Sequence, residues 1–132
     1  MGQPAARKDD QVTGLDVHIV VVPGPTPVPT PLPHLFSGRI TGETVASVLI
    51  EGAPAATVDS VATNSPPHVP TPPGTSFQKP PANKGSVSRG STSVTIGGKA
   101  AARLGDPVRT CNDPADADTS AIAAGAATVL IG

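Results

Sequence analysis

Short apolar runs followed by glycine recur along the chain and predict paired β-strands. Three such runs are Val48-Leu49-Ile50, Val94-Thr95-Ile96 and Val129-Leu130-Ile131. Valine and isoleucine favour strands, and a glycine close behind a short run marks a tight turn. The one alanine-rich stretch, 121–127, is interrupted by Gly125 and does not show the pattern of an amphipathic helix, so we expect turn and strand there. The predicted fold class is therefore all-β.

A short alanine motif follows each apolar run, and together they form a repeated unit. The three motifs are Pro4-Ala5-Ala6-Arg7, Pro54-Ala55-Ala56-Thr57 and Ala100-Ala101-Ala102-Arg103. One unit is split, because its apolar run ends the chain while its alanine motif begins it. It is completed only if the two ends lie side by side, which predicts a closed ring with pseudo-threefold symmetry and few exposed strand edges. Chance recurrence of short Gly-Ala-Pro patterns is the alternative.

Proline-rich stretches separate the repeated units. The chain has 17 prolines and 14 glycines, and we predict loops over 23–33, 66–81 and the shorter segment 111–119. Proline fixes φ and stiffens a connector, although disordered or partner-recognising polyproline II segments remain an alternative. We expect one domain over 1–132, an all-β arrangement of hairpins with long proline-rich loops.

Composition narrows the function classes. A net charge of −1 with 14% charged residues and no basic run excludes a nucleic-acid-binding role. The first eleven residues lack the apolar centre of a signal peptide, and the apolar run 19–22 is too short to span a membrane, so synthesis in the cytoplasm is expected.

The small number of aromatic residues, only two, means that the core must be thin. Disorder is one alternative, and a folded chain with so thin a core needs an additional stabilising link. A single cysteine cannot form an internal disulfide, so this link is a metal ion or a partner protein.

Three histidines and the cysteine are the candidate metal ligands: His18, His34, His68 and Cys111. His18 and His68 each lie eleven residues after the last position of an alanine motif, and Cys111 lies eight after Arg103. One ligand per repeat would thus approach a common axis, and His34 would complete a tetrahedral zinc site without an open position, which is typical of a structural site. The alternative is that each histidine lies in a polar turn and that Cys111 is a small buried apolar residue.

These motifs resemble the PAAR-repeat family, named for the tetrapeptide at 4–7. The resemblance also covers the lead-in 90–94, the continuation Leu104-Gly105-Asp106 and the closing run 129–132. The resemblance implies a small pointed cone with no fused effector extension, which is the tip that caps the spike of a contractile injection machine. It also implies that this tip holds one structural zinc ion, with iron the less favoured metal, through three histidines and one cysteine. The sequence departs from the pattern at Thr57 and in the loss of the Gly-Asp pair at Asp9-Asp10 and Val58-Asp59.

The resemblance further implies a trimeric spike partner, called VgrG in type VI secretion systems. One monomeric chain would seat on each trimer, contact a membrane transiently on piercing, leave the cell on firing, and offer a possible attachment point for effector proteins. Three similar strand units would meet that partner. The expected spike-contact residues are Val48, Ile50, Val94, Ile96, Val129 and Ile131.

Two other functions remain open from the sequence. A proline-rich interaction module would use the proline stretches as ligands for aromatic grooves and would keep them mobile in the free protein. A zinc-dependent hydrolase would need a vacant coordination position, which arises only if one of the four candidate ligands does not bind. No nucleophile paired with a base is evident, so we expect the protein not to be an enzyme.

Overall fold

The computed structural model describes residues 2–132, and the described chain consists of strands and connecting segments. It contains thirteen strands and no helix. The strands are β1 (Gln3–Ala5), β2 (Gln11–Val22), β3 (Val28–Gly42), β4 (Val45–Ile50), β5 (Ala53–Ala55), β6 (Val61–Asn64), β7 (Ser76–Phe77), β8 (Lys84–Val87), β9 (Thr95–Ile96), β10 (Lys99–Ala100), β11 (Pro107–Thr110), β12 (Ala117–Ile122) and β13 (Ala126–Ile131). The predicted all-β class is confirmed. A helix able to cross a membrane is not found between residues 2 and 132.

Six strands close into an antiparallel ring. β2 pairs with β3, β3 with β6, β6 with β8, β8 with β11, β11 with β12, and β12 returns to β2. Each repeated unit contributes two neighbouring strands: β2–β3, β6–β8 and β11–β12. Three two-stranded sheets lie beside the ring, β1–β13, β4–β5 and β9–β10, one for each alanine motif. This arrangement is the closed set of hairpins that the repeats predict.

The alanine motifs meet around the pseudo-threefold axis. The backbone N–H of Ala6 donates to the carbonyl of Ala102 at 2.9 Å, that of Ala102 donates to Ala56 at 3.0 Å, and that of Ala56 donates to Ala6 at 3.0 Å. All three alanines are fully buried. Only a side chain as small as alanine lets three backbones approach one another this closely, and the repeated motif follows from that requirement.

The two ends of the chain complete one unit together. Gln3 pairs with Ile131 and Pro4 with Leu130 in the β1–β13 sheet. The predicted junction between the termini is therefore present in the structure. The β1–β13 pair is equivalent to β4–β5 and β9–β10 of the other two units, in which the two strands follow each other in sequence.

The turn after each alanine motif shows which residues of the three units are equivalent. The residue with positive φ is Asp9, Asp59 or Gly105 in the three units. The next residue caps the turn: the carboxylates of Asp10 and Asp106 accept from the N–H of Arg7 and Arg103, and Ser60 Oγ accepts from the N–H of Thr57. The pair equivalent to Gly105-Asp106 in the second unit is therefore Asp59-Ser60. The expected pair, Val58-Asp59, was wrong by one residue.

The core is thin and has two layers. One layer fills the six-stranded ring with one apolar side chain from each strand, the three axial alanines and Phe36; the strand residues are Val12, Ile40, Ala62, Val87, Val108 and Ile122. The other layer lies between the two-stranded sheets and contains Ala5, Ala55, Ala101, Ala126, Ile50 and Ile131. Small side chains near the axis make both layers narrow, as the composition predicts.

The prediction of a loop over 23–33 was wrong for its second half, because β3 begins at Val28. Pro29, Pro31 and Pro33 lie opposite Val21, Ile19 and Val17 of β2. Proline is compatible with an edge strand when its nitrogen faces away from the neighbouring strand. The second stretch, 66–81, is irregular except for β7, and backbone N–H groups of Thr75 and Gln78 donate to β2.

Candidate metal centre

The four predicted ligands converge at the end of the ring opposite the two-stranded sheets. β2 carries His18, β3 carries His34, His68 follows β6, and Cys111 follows β11. The ring centroids of the three histidines are 5.0–5.6 Å apart. Cys111 Sγ lies 3.6 Å from His18 Nε2. Segments far apart in sequence thus place all four side chains in one cluster.

The most compact group of donor atoms includes a residue that the spacing did not indicate. One ligand atom each from Asp16, His18, His68 and Cys111 lies within 4.8 Å of the other three. Asp16 Oδ2 is 2.9 Å from His68 Nε2 and 3.5 Å from Cys111 Sγ. A thiolate, two imidazoles and a carboxylate form a donor set that suits zinc and related divalent ions.

His34 belongs to the cluster but uses both ring nitrogens elsewhere. Its Nδ1 lies 2.9 Å from the carbonyl oxygen of Leu32 and therefore donates to it, and its Nε2 accepts from the backbone N–H of Thr71 at 3.2 Å. The Thr71 hydroxyl also donates to the carbonyl of Pro33 at 2.8 Å. His34 thereby fastens the second proline-rich stretch to β3.

Asp16 is fully buried and held in one orientation. Its Oδ1 accepts from the hydroxyls of Thr110 and Thr119, and its Oδ2 faces His68 and Cys111. Within residues 2–132 no lysine or arginine pairs with this carboxylate. A buried carboxylate without a cationic side chain is costly unless another positive charge balances it.

Burial shifts the pKa values of His18, His34 and Cys111. It lowers the pKa of His18 below its usual range, and the neighbouring His68 lowers it further. Burial also lowers the pKa of His34. The pKa of the Cys111 thiol is raised, first by burial and then by the negative charge of Asp16. Neutral imidazoles are ready to coordinate, whereas the thiol must lose its proton to do so.

Further observations show that the residues fit a metal ion. His18 Nδ1 is buried and makes no hydrogen bond within the described chain. Asp113 Oδ2 lies 3.5 Å away, where it can accept a hydrogen bond from Nδ1–H if Nε2 coordinates. The two phenylalanines flank the cluster, with Phe77 centred 5.3 Å from His34 and Phe36 centred 6.3 Å from His68. The donor set and its apolar surroundings are compatible with a bound metal.

The sequence contains one signal that would have found Asp16. Residues at i and i+2 of a strand point to the same face, and Asp16 precedes His18 by two positions. Both are buried in β2. Asp113 gives no such signal, because it reaches His18 from an irregular segment after β11.

The expected spike-contact residues lie on the two-stranded sheets, and their exposure differs. Ile50 and Ile131 are buried, Val48 is 37% exposed, and Val94, Ile96 and Val129 are partly buried against the second core layer. Ile50 and Ile131 thus offer little accessible surface, because strand alternation points them into the core. Their neighbours Leu49 and Leu130 are each 61% exposed. Contact with a spike stays a prediction.

Fold and cluster together define a class: an all-β chain of three related units closed around a pseudo-threefold axis, with candidate metal ligands gathered at one end. The sequence model of the PAAR motif family matches residues 78–132. This segment carries the third alanine motif, Cys111 and the closing strand, and its match to the PAAR motif family agrees with the predicted resemblance. The match supports a spike-tip role in a secretion system. A search of curated proteins found no match to the chain.

Proposed function

We propose that this protein is a non-enzymatic, metal-stabilised tip that caps the trimeric, VgrG-like spike of a contractile injection system. It is made in the bacterial cytoplasm, seats as one copy per spike, sharpens the spike for membrane piercing and is expelled on firing. The observation that carries the proposal is the pseudo-threefold ring of alanine hydrogen bonds, joined to the PAAR motif match. A single chain with threefold geometry can meet a trimer's three subunits equivalently.

The surface for the spike is the end formed by the two-stranded sheets. Leu49, Thr95 and Leu130 occupy equivalent positions in the three units, and all three are exposed. The two leucines and the methyl group of the threonine offer apolar area that a trimer can bury at equivalent sites. The histidine cluster lies at the other end, beyond the core layer that contains Phe36, so spike and metal occupy opposite ends.

The metal stabilises the other end by joining distant segments. A divalent ion would supply a cross-link between β2, the segment after β6 and the end of β11. Because such a link closes long loops, it resists the peeling of any single hairpin under load. The chain's own residues add to this tie through the hydrogen bonds of Asn112 and Asp113 to the N–H groups of Val17 and Ile19.

The arrangement of the proline stretches favours the tip over an interaction module. Half of the first stretch is strand, and the second is fastened to β2 and β3 by hydrogen bonds from Thr71, Thr75 and Gln78. An interaction module would leave these segments free to dock into aromatic grooves. A fixed set of connectors suits a rigid tip.

A binding experiment with the candidate spike tests this function. The double variant Leu49→Glu/Leu130→Glu places two charges on the proposed surface, and we expect it to weaken binding to the trimeric spike at least tenfold in interferometry. Leu35→Glu is the control, because Leu35 is 64% exposed on β3, away from that surface. Wild-type protein that does not bind the trimer, or a control variant that loses binding equally, would contradict the proposal.

A further inference from the structure

The β2–β3 hairpin extends beyond the closed ring and carries an apolar outer face. β2 pairs with β12 only as far as Gly14, and β3 pairs with β6 only from Gly38 onwards. Beyond these points, outward-pointing side chains alternate with buried ones, and three cross-strand pairs of them are apolar. The pairs are Leu15 with Leu35, Val17 with Pro33, and Ile19 with Pro31. We call these six residues the apolar stripe, and its two leucines are 57% and 64% exposed.

The outer surface changes from polar to apolar where the hairpin leaves the ring. The next two pairs toward the ring are polar, Thr13 with Ser37 and Gln11 with Arg39. The other ring strands carry exposed charged side chains, which are Lys84, Arg109 and Asp118. The stripe thus lies on one of the three units only and breaks the pseudo-threefold symmetry. An exposed apolar surface of several adjacent residues marks a site of interaction.

The segments at the histidine end of the molecule contain little exposed charge. Residues 17–38 and 65–78 include no Asp, Glu, Lys or Arg, although the whole chain has 10 acidic and 9 basic side chains. The third segment at this end, 111–116, has one exposed carboxylate, Asp116, which lines a cavity with Lys84 and Arg109 of the ring. Moving a charged group from water into hydrocarbon is costly, whereas valine, leucine and proline carry no such penalty. This distribution of charge suits a hydrocarbon environment.

We propose that the apolar stripe is the surface with which the protein contacts the hydrocarbon of a lipid bilayer. This inference rests on the proposed spike tip and specifies which side of the tip meets the membrane. The stripe lies at the end that carries the histidine cluster, opposite the proposed spike surface, so it leads as the spike advances. Burial of its exposed side chains in hydrocarbon is favourable in proportion to their apolar area.

Other occupants fit the stripe less well. An added strand needs N–H groups at the edge of β3, and Pro31 and Pro33 have none. Protein partners bind through about 20–30 residues a side, with Trp, Tyr or Arg as anchors. The chain contains no Trp or Tyr, and the stripe has no arginine. A second copy is not expected on the stripe, because one tip seats on each proposed spike.

A fluorescent reporter tests the contact with vesicles of zwitterionic phosphatidylcholine. The chain contains no Trp, so Leu35→Trp introduces a single reporter into the stripe. Leu130→Trp is the matched control, because Leu130 is 61% exposed at the opposite end. We expect vesicles to shift the emission from position 35 to shorter wavelength and brominated acyl chains to quench it, with no change at position 130. Emission from position 35 that stays unchanged would overturn the proposal.

Two double variants compare the ends of the molecule in vesicle flotation. Leu15→Glu/Leu35→Glu places charges on the stripe, and we expect its partition into vesicles to fall by roughly tenfold or more. Leu49→Glu/Leu130→Glu should float like the wild type. The wild type should also float equally well at high salt, because the stripe has no charge to screen. Equal losses in the two variants, or salt-sensitive binding, would assign membrane contact to another surface and overturn the proposal.

The stripe and the spike surface can fail separately. Leu15→Glu/Leu35→Glu should bind the trimeric spike as the wild type does. Wild-type protein that binds the spike but not vesicles would overturn the lipid contact and leave the tip function intact, whereas protein that inserts into vesicles but does not bind the spike would contradict the tip function. Concentration-dependent dimers that Leu15→Glu/Leu35→Glu abolishes would assign the stripe to a second copy and overturn the lipid contact.

Discussion

Single side chains add to the backbone contacts that join the repeated units. Arg7 Nη1 donates to Glu51 Oε1 at 2.7 Å, and the other carboxylate oxygen of Glu51 accepts from both the backbone N–H and the hydroxyl of Thr128. Glu51 belongs to the second unit, whereas Arg7 and Thr128 come from the two halves of the split unit. One carboxylate therefore links both chain ends to an internal hairpin.

The Glu51 network predicts a pH-dependent contribution to stability. Hydrogen bonds from Thr128, and then Arg7, lower the pKa of Glu51 below its ordinary 4.5. A carboxyl group with a lowered pKa in the folded state stabilises the fold above its unfolded-state pKa, and that stabilisation is lost as the pH falls. We expect Glu51→Gln to lower the urea midpoint at pH 7 and to have almost no effect near pH 3.

Glu43→Gln is the matched control for this measurement. Glu43 is an exposed carboxylate of the same hairpin region, and its side chain forms no ion pair in the described chain. It should leave the urea midpoint unchanged at pH 7. A Glu51→Gln effect that persists undiminished at pH 3 would show that the charge of Glu51 is not what stabilises the fold.

Strands and turns differ in how well the sequence predicts them. The apolar runs predicted β4, β9 and β13, and the alanine motifs predicted the ring, because local alternation and repetition are visible without long-range contacts. The strand in Val28–Gly42 was missed because proline is a strong signal against strands. Asp16 was not predicted, because the spacing of histidine and cysteine does not show which other residues share a face of β2 with His18.

The prolines of β3 protect an open sheet edge. The N–H groups of Val17 and Ile19 bond to Asn112 and Asp113, away from β3, so the opposite residues Pro33 and Pro31 also face away from β2. The hydroxyl of Thr71 bonds to the carbonyl of Pro33 on that outer side. Between 29 and 33, each residue whose backbone nitrogen faces away from β2 is a proline. This edge therefore offers no N–H group to an incoming strand.

Restoring N–H groups at this edge should allow chains to associate. We expect Pro29→Thr/Pro31→Thr to give concentration-dependent dimers or larger species in sedimentation velocity, because two outward donors and β-favouring side chains become available. Pro25→Thr/Pro27→Thr makes the same chemical change in the turn before β3 and should remain monomeric. Two variants that behave alike would show that proline does not guard this edge.

At the scale of the whole molecule, stability depends on closure. Six strands form a ring without a gap, and the axial alanines bond in a cycle in which each motif both donates and accepts. Removing one unit would therefore break contacts in the other two. The candidate metal ligands lie together at one end of this ring, and the two chain ends pair with each other at the opposite end.

Closure makes a terminal residue as important as an internal one. Chain ends usually fray, so truncating a side chain near a terminus ordinarily costs little. Ile131, however, pairs with Gln3 and is 6% exposed in the second core layer, where Ile50 is the equivalent residue of an internal hairpin at 4%. We expect Ile131→Ala and Ile50→Ala to lower the free energy of unfolding by similar amounts, each about 2–4 kcal/mol.

Leu130→Ala separates closure from a general effect of the chain end. Leu130 is adjacent to Ile131 but 61% exposed, so its truncation should change the free energy of unfolding by about 0.5 kcal/mol or less in urea titrations. Ile131→Ala that costs no more than Leu130→Ala, while Ile50→Ala costs several times more, would mean that the ends fray and the third unit stays open. Equal costs at Ile131 and Ile50 would establish that the split unit is as firmly closed as an uninterrupted one.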